Sequence, residues 1–73
     1  MHSAKGMTTG VCVGWNEERG YGFLRPDIGG ADVFVHRRDI KNAMMLSQGV
    51  RVSFEVIEDD RRGKPRAVGA RVL

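Results

Sequence analysis

Three of the chain's five Phe, Tyr and Trp side chains, and the one histidine beyond residue 6, fall between positions 21 and 36. They come as two pairs spaced two apart, Tyr21 with Phe23 and Phe34 with His36, bordered by Arg19, Arg25, Arg37 and Arg38. Flat rings beside cations are what unpaired bases require. Each base stacked on an aromatic face gains about 1–3 kcal/mol, and guanidinium groups attract the phosphates between bases. Every base has a π-face, so such chemistry tolerates sequence. Catalytic chemistry has no comparable grouping. Cys12 is the only cysteine, His36 has no partnered nucleophile, and no carboxylates cluster at a plausible pocket. Nothing resembles metal-ligand spacing, and no cofactor is implied. The chain reads as a binding protein without cofactor, metal or small-molecule substrate, and not as an enzyme.

Rings two apart share a face only on a strand. Over Tyr21–Arg25, Tyr21, Phe23 and Arg25 take one face while Gly22 and Leu24 take the other. Over Asp32–His36, Phe34 and His36 oppose Val33 and Val35. A core takes the aliphatics, so Leu24, Val33 and Val35 are expected inside and the rings outside. An apolar cluster left outside marks an interaction surface. The opposite register, with rings inside and valines outside, leaves no core. Gly20 and Gly22 are then expected to keep the backbone bare so that bases lie close against the flanking rings.

Three further strands are expected over Gly10–Asn16, Gly49–Ile57 and Arg66–Leu73, with a bend or bulge near Ile57 where alternation breaks. Turns fall at Asn16–Gly20, at Asp27–Gly30 after Pro26 stops the second strand, and around Gly63 between Glu58 and Lys64. Asp39 is expected to cap one helical turn containing Ile40, Ala43 and Met44. Met44 and Met45 are assigned as a plug over the barrel end, and Cys12 as a small core residue.

The chain has 73 residues, room for one small domain. A lone cysteine forms no internal disulfide, so packing alone must hold the fold. Nine valines against three leucines, with ten glycines, argue for short twisted strands and tight turns over a helical bundle. Five short strands in one domain make a small closed barrel. The net charge of +3 suits a polyanion without demanding one. No apolar run approaches the ~20 residues of a membrane span. Residues 1–6 read as a tag or disordered N-terminus ahead of Met7, and a reduced cysteine without an export signal points to the cytoplasm.

Arg19-Gly20-Tyr21-Gly22-Phe23-Leu24 resembles the first ribonucleoprotein motif of the cold-shock domain, and Val33-Phe34-Val35-His36 resembles the second. Gly10 through Asn16 is similar to that family's opening strand, G-x-V-K-W-F-N, and Gly49 through Phe54 to its fourth strand. The resemblance runs over nearly all of residues 8 to 73. It implies an all-β, five-stranded antiparallel OB-fold barrel over residues 7–73. It also implies binding of single-stranded RNA and DNA as a nucleic-acid chaperone, by a monomer with a strand-swapped dimer as the alternative. The chain departs from the pattern where Val13-Gly14-Trp15 replaces Lys-Trp-Phe, where Arg37 replaces phenylalanine, and where Met44 and Met45 replace a stacking aromatic. Binding is expected to survive with weaker stacking and a larger electrostatic share.

The expected contacts are Trp15, Arg19, Tyr21, Phe23, Phe34, His36 and Arg37, with Asn16, Arg25, Arg38, Lys64 and Arg66 as a second group. Trp15 is placed on the platform, with a partly buried core position as its alternative. Two other readings of the rings compete. An RNA-recognition motif fails on order, since its second motif lies upstream of its first and it needs two helices. A barrel that holds a peptide on the same ring patch remains the alternative function.

Overall fold

Branched or small apolar residues at alternate positions build five strands in the computed structural model, which describes residues 7–59 and 64–73. They are β1 (Thr8–Asn16), β2 (Tyr21–Pro26), β3 (Val33–His36), β4 (Arg51–Asp59) and β5 (Lys64–Val72). The strands close into a barrel in the order β1-β2-β3-β5-β4, the all-β architecture expected. Its seams are antiparallel except β3–β5, which is parallel. The expectation of a wholly antiparallel barrel is corrected at that seam, and the reason is parity. Directions that alternate around a closed ring of five strands must repeat once. The parallel seam is short, with Phe34 opposite Arg66 and an added bridge from Ile40 to Ala70.

The inward residues are those that alternation selects. Cys12, Leu24, Val35, Val52 and Phe54 have no exposed surface, and Val33 retains 3%. Each large apolar side chain buried this way contributes about 1.5–3 kcal/mol before ordering costs. Burial also pushes the Cys12 thiol up from its ordinary pKa, more than its weak bond to the Gly14 carbonyl lowers it. The thiol stays protonated, as a core residue should.

The structure revises three local expectations. The helical turn is a 3₁₀ turn over Arg37–Asp39, capped by His36 and not by Asp39, because the His36 Nδ1 accepts the Arg38 N–H at 3.2 Å. Ile40 leaves that turn extended, since its buried side chain and its bridge to Ala70 belong to the barrel. Met44, at 80% exposure, and Met45, at 43%, do not plug the barrel; the residue of this connector that joins the core is Leu46, at 2% exposure. The bulge of β4–β5 lies between Ser53 and Glu55, not near Ile57. There Gly69 and Ala70 face the single residue Phe54, and Gly69 takes the positive φ of 60° that such a bulge uses. The turn expected around Gly63 lies outside the described residues.

One polar clamp ties the β2–β3 loop to the barrel wall. Asp27 accepts two bonds from Arg51 at 2.7 and 3.1 Å and a third from the Thr9 hydroxyl at 2.7 Å. The Arg51 hydrogen bond, then that of Thr9, holds the Asp27 carboxyl below its usual pKa. A depressed carboxylate adds stability above its unfolded pKa of about 3.9 and loses it as pH falls through the folded value. Melting temperature should therefore hold steady above about pH 5 and fall below about pH 4, with a shallower fall in Asp27→Asn. An identical acid profile in that variant would remove the clamp from the account.

Candidate nucleic-acid interface

The β2–β3 register sets Tyr21 against His36, Gly22 against Val35, Phe23 against Phe34, and Leu24 against Val33. Partners directly opposite share a face, so buried Leu24 and Val33 send the four rings outward together. Phe23 is 40% exposed, and Tyr21, Phe34 and His36 are half-buried. The rings pack on one another. Tyr21 and Phe34 lie tilted at 5.3 Å between centroids, while Phe23 meets Phe34 edge-on at 6.0 Å and Tyr21 edge-on at 6.3 Å. Such mutual support holds the ring faces in place before any base arrives, which lowers the ordering cost of binding.

The neighbouring strands extend this cluster into two rows across the sheet. One row runs Gly14, Phe23, Phe34, Arg66, and the other runs Asn16, Tyr21, His36. Arg66 thus stands beside Phe34, with its Nε shielded and unpartnered among the described residues. That neighbour comes only from the parallel seam. The Lys64 side chain, in the same second group of expected contacts, lies outside the described residues.

Trp15 stands elsewhere than alternation from Cys12 places it. Val13 is an extra residue between Cys12, opposite Leu24, and Gly14, opposite Phe23. This bulge flips the side of everything after it, so Trp15 pairs with inward Gly22 and packs against the core. A Cβ on Gly22 would run into the Gly14 carbonyl oxygen and come 2.6 Å from the Trp15 Cε3, so the close approach of β1 needs a glycine here. The bare backbone at Gly22 makes room for the β1 backbone and Trp15, not for an incoming base.

The cations divide by their partners. Arg25 is engaged by Asp32 at 3.2 Å. Asn16 closes the β1–β2 turn, its Oδ1 accepting the Arg19 N–H at 3.0 Å and its carbonyl the Gly20 N–H at 2.8 Å. That leaves the Arg19 guanidinium at an exposed turn. Gly20, at φ 73°, makes room for Arg37, whose Nε lies 2.9 Å from where a Cβ would stand. Beyond Arg37, an open depression is lined by Arg37, Arg38, Lys41, Asn42 and Met44. Among the described residues none of its three cations forms an ion pair. Lys41 was not among the expected contacts, because a single lysine in a connector carries no periodic signal. In the neutral ring, the bond accepted at the His36 Nδ1 leaves the proton on Nε2.

Among the described residues no group of His, Cys, Asp and Glu could hold a metal ion, and no helix is long and apolar enough to cross a membrane. A ring-covered sheet face edged with guanidinium groups offers stacking and charge.

Comparisons with known proteins agree with this geometry. The family described as the 'Cold-shock' DNA-binding domain matches residues 8–72. A probable cold shock protein, y4cH, of Sinorhizobium fredii is 40% identical over 63 residues, which span 84% of this chain and 91% of that protein. The cold shock-like protein CspG of Shewanella violacea is 48% identical over 58 residues, spanning 77% of this chain and 81% of its own. Among solved structures, drosophila Unr CSD456 superposes with a TM-score of 0.76 over 96% of this chain and 28% of that one. Its 22% identity makes it a likeness of fold. The matched family is described by DNA binding, not by catalysis, and the barrel carries its exposed rings on the second and third strands. This chain belongs to the cold-shock DNA-binding domain family.

Proposed function

We propose that this protein binds single-stranded RNA and DNA on the Tyr21–Phe23–Phe34–His36 face and acts in the cytoplasm as a nucleic-acid chaperone that keeps strands unpaired. The observation that carries this reading is the contact cluster of three rings on the outer side of β2 and β3. A flat platform takes unpaired bases by their faces and cannot reach bases stacked inside a duplex. The domain is residues 7–73, working as a monomer. Arg19, Arg37, Arg38 and Arg66 supply the phosphate contacts, and Arg25 contributes less because Asp32 already holds it.

Two to four neutralised phosphates give a log–log salt slope between about −1.4 and −2.8 for a single strand. Titration of an unpaired oligonucleotide and its hairpin counterpart, at several salt concentrations, should show the unpaired strand favoured and that negative slope. Equal affinity for the two would defeat the single-strand reading. A flat salt dependence would favour a peptide ligand on the same rings.

A further inference from the structure

The depression beyond Arg37 begins where the ring face ends, because Arg37 follows His36 in the chain. Its three cations stand on backbone that is tied to the barrel at each step. The Arg37 N–H donates to the Gly20 carbonyl at 2.8 Å, the Arg38 N–H to the His36 Nδ1 at 3.2 Å, and the Lys41 N–H to the Ala70 carbonyl at 2.7 Å. Asn42 closes the rim. Its side-chain amide pairs with Val72 in both directions, Nδ2 donating to the carbonyl at 3.0 Å and Oδ1 accepting the N–H at 2.8 Å. The amide takes the place of a further strand residue and carries the β3–β5 seam past the bridge from Ile40 to Ala70. Among the described residues no carboxylate lines the depression. Elsewhere Arg25 is paired with Asp32 and Arg51 with Asp27, whereas these three cations are unpaired among the described residues.

Such convergence exceeds what the interior of a strand asks for. An internal phosphodiester carries a single negative charge. A terminal monoester carries about −1.5 to −2 at neutral pH and offers three strong acceptor oxygens. The depression holds about 580 Å³, within the ~300–1,000 Å³ of small-ligand sites, so a phosphate enters with its sugar. We propose that Arg37, Arg38 and Lys41 form a site for the terminal phosphate of the bound strand, so that the protein distinguishes a phosphorylated strand end from a hydroxyl end. This rests on the single-strand reading proposed above and adds a preference for one end.

The test measures binding of hexathymidylates with an internal fluorophore, carrying a 5′-phosphate, a 3′-phosphate or hydroxyls at both ends. The two phosphorylated strands have equal charge, so a gain confined to one of them reports a place and not a general attraction. One phosphorylated strand should bind about 3- to 100-fold tighter than the hydroxyl-ended strand, the yield of three exposed ion pairs. The other should bind much as the hydroxyl-ended strand does. Arg38→Gln combined with Lys41→Gln should lose most of that ratio and melt as wild type does, because both side chains are exposed. Lys41→Gln alone, with a smaller loss, covers the case in which the double variant does not fold. Equal binding of all three strands, equal gains at both ends, or an unchanged ratio in the folded variants overturns the site and leaves single-strand binding standing. A ratio cancelled by thymidine monophosphate near the strand's own Kd overturns the strand end in favour of a free nucleotide. Absence of binding to every strand overturns both readings.

Discussion

Phe54→Ala is expected to leave this protein largely unfolded at room temperature. Phe54 is the largest of the side chains with no exposed surface, at the point where β4 crosses β1 and meets the β5 bulge. Removing a buried phenylalanine costs about 3–5 kcal/mol, because a cavity remains where the ring stood. A core in a domain of this size rarely supplies more than about 3–5 kcal/mol in total, and no disulfide backs it up. The two magnitudes are equal, so the folded state should lose its majority. Circular dichroism melts and urea titration measure this directly. A Phe54→Ala protein that melts cooperatively near the wild-type temperature would show that the barrel draws its stability from elsewhere.

The second large effect falls on the same residue type and has the opposite character. Phe34→Ala should lose about 1–3 kcal/mol of single-strand affinity, a weakening of about 5- to 150-fold. The barrel should keep most of its stability. Phe34 is the centre of the ring cluster, touching both Tyr21 and Phe23, yet its side chain points outward and remains half-exposed. Its neighbour supplies the internal contrast. Val33, at 3% exposure, faces the core, and Val33→Ala removes two buried carbons at about 0.8 kcal/mol each with a cavity term added. That variant should melt earlier and bind nearly normally while folded. Melts and titrations on both variants read the two effects separately. A Phe34→Ala chain that unfolds while its affinity persists would mean that the rings serve the core and not a ligand.

Much of this is legible in the order of residues along the chain. A strand repeats every two residues, so counting alone sorts Tyr21, Phe23, Phe34 and His36 from Leu24, Val33 and Val35. The burial of Cys12 and the outward placement of the ring cluster follow from that count. The five-stranded barrel follows from the number of strands and from the lack of room for a second sheet.

What counting does not reach depends on a residue that breaks the period or on a partner distant in sequence. Val13 carries no mark of a bulge, yet that one insertion moves Trp15 from the expected platform to a partly buried place against the core and turns Gly14 outward in its place. Ile40 has the spacing of a short helix with Ala43 and Met44, and is claimed instead by a bridge to Ala70. Arg66 is one of several basic residues until a parallel seam sets it beside Phe34. Arg51 and Asp27, 24 positions apart, meet only because β4 runs along β1. The local alternation of apolar and polar residues determined which side chains face inward and which rings face out. Only the closed barrel decided register, bulges and neighbours, because these are set by pairing energies between segments that have no contact until the ring is complete.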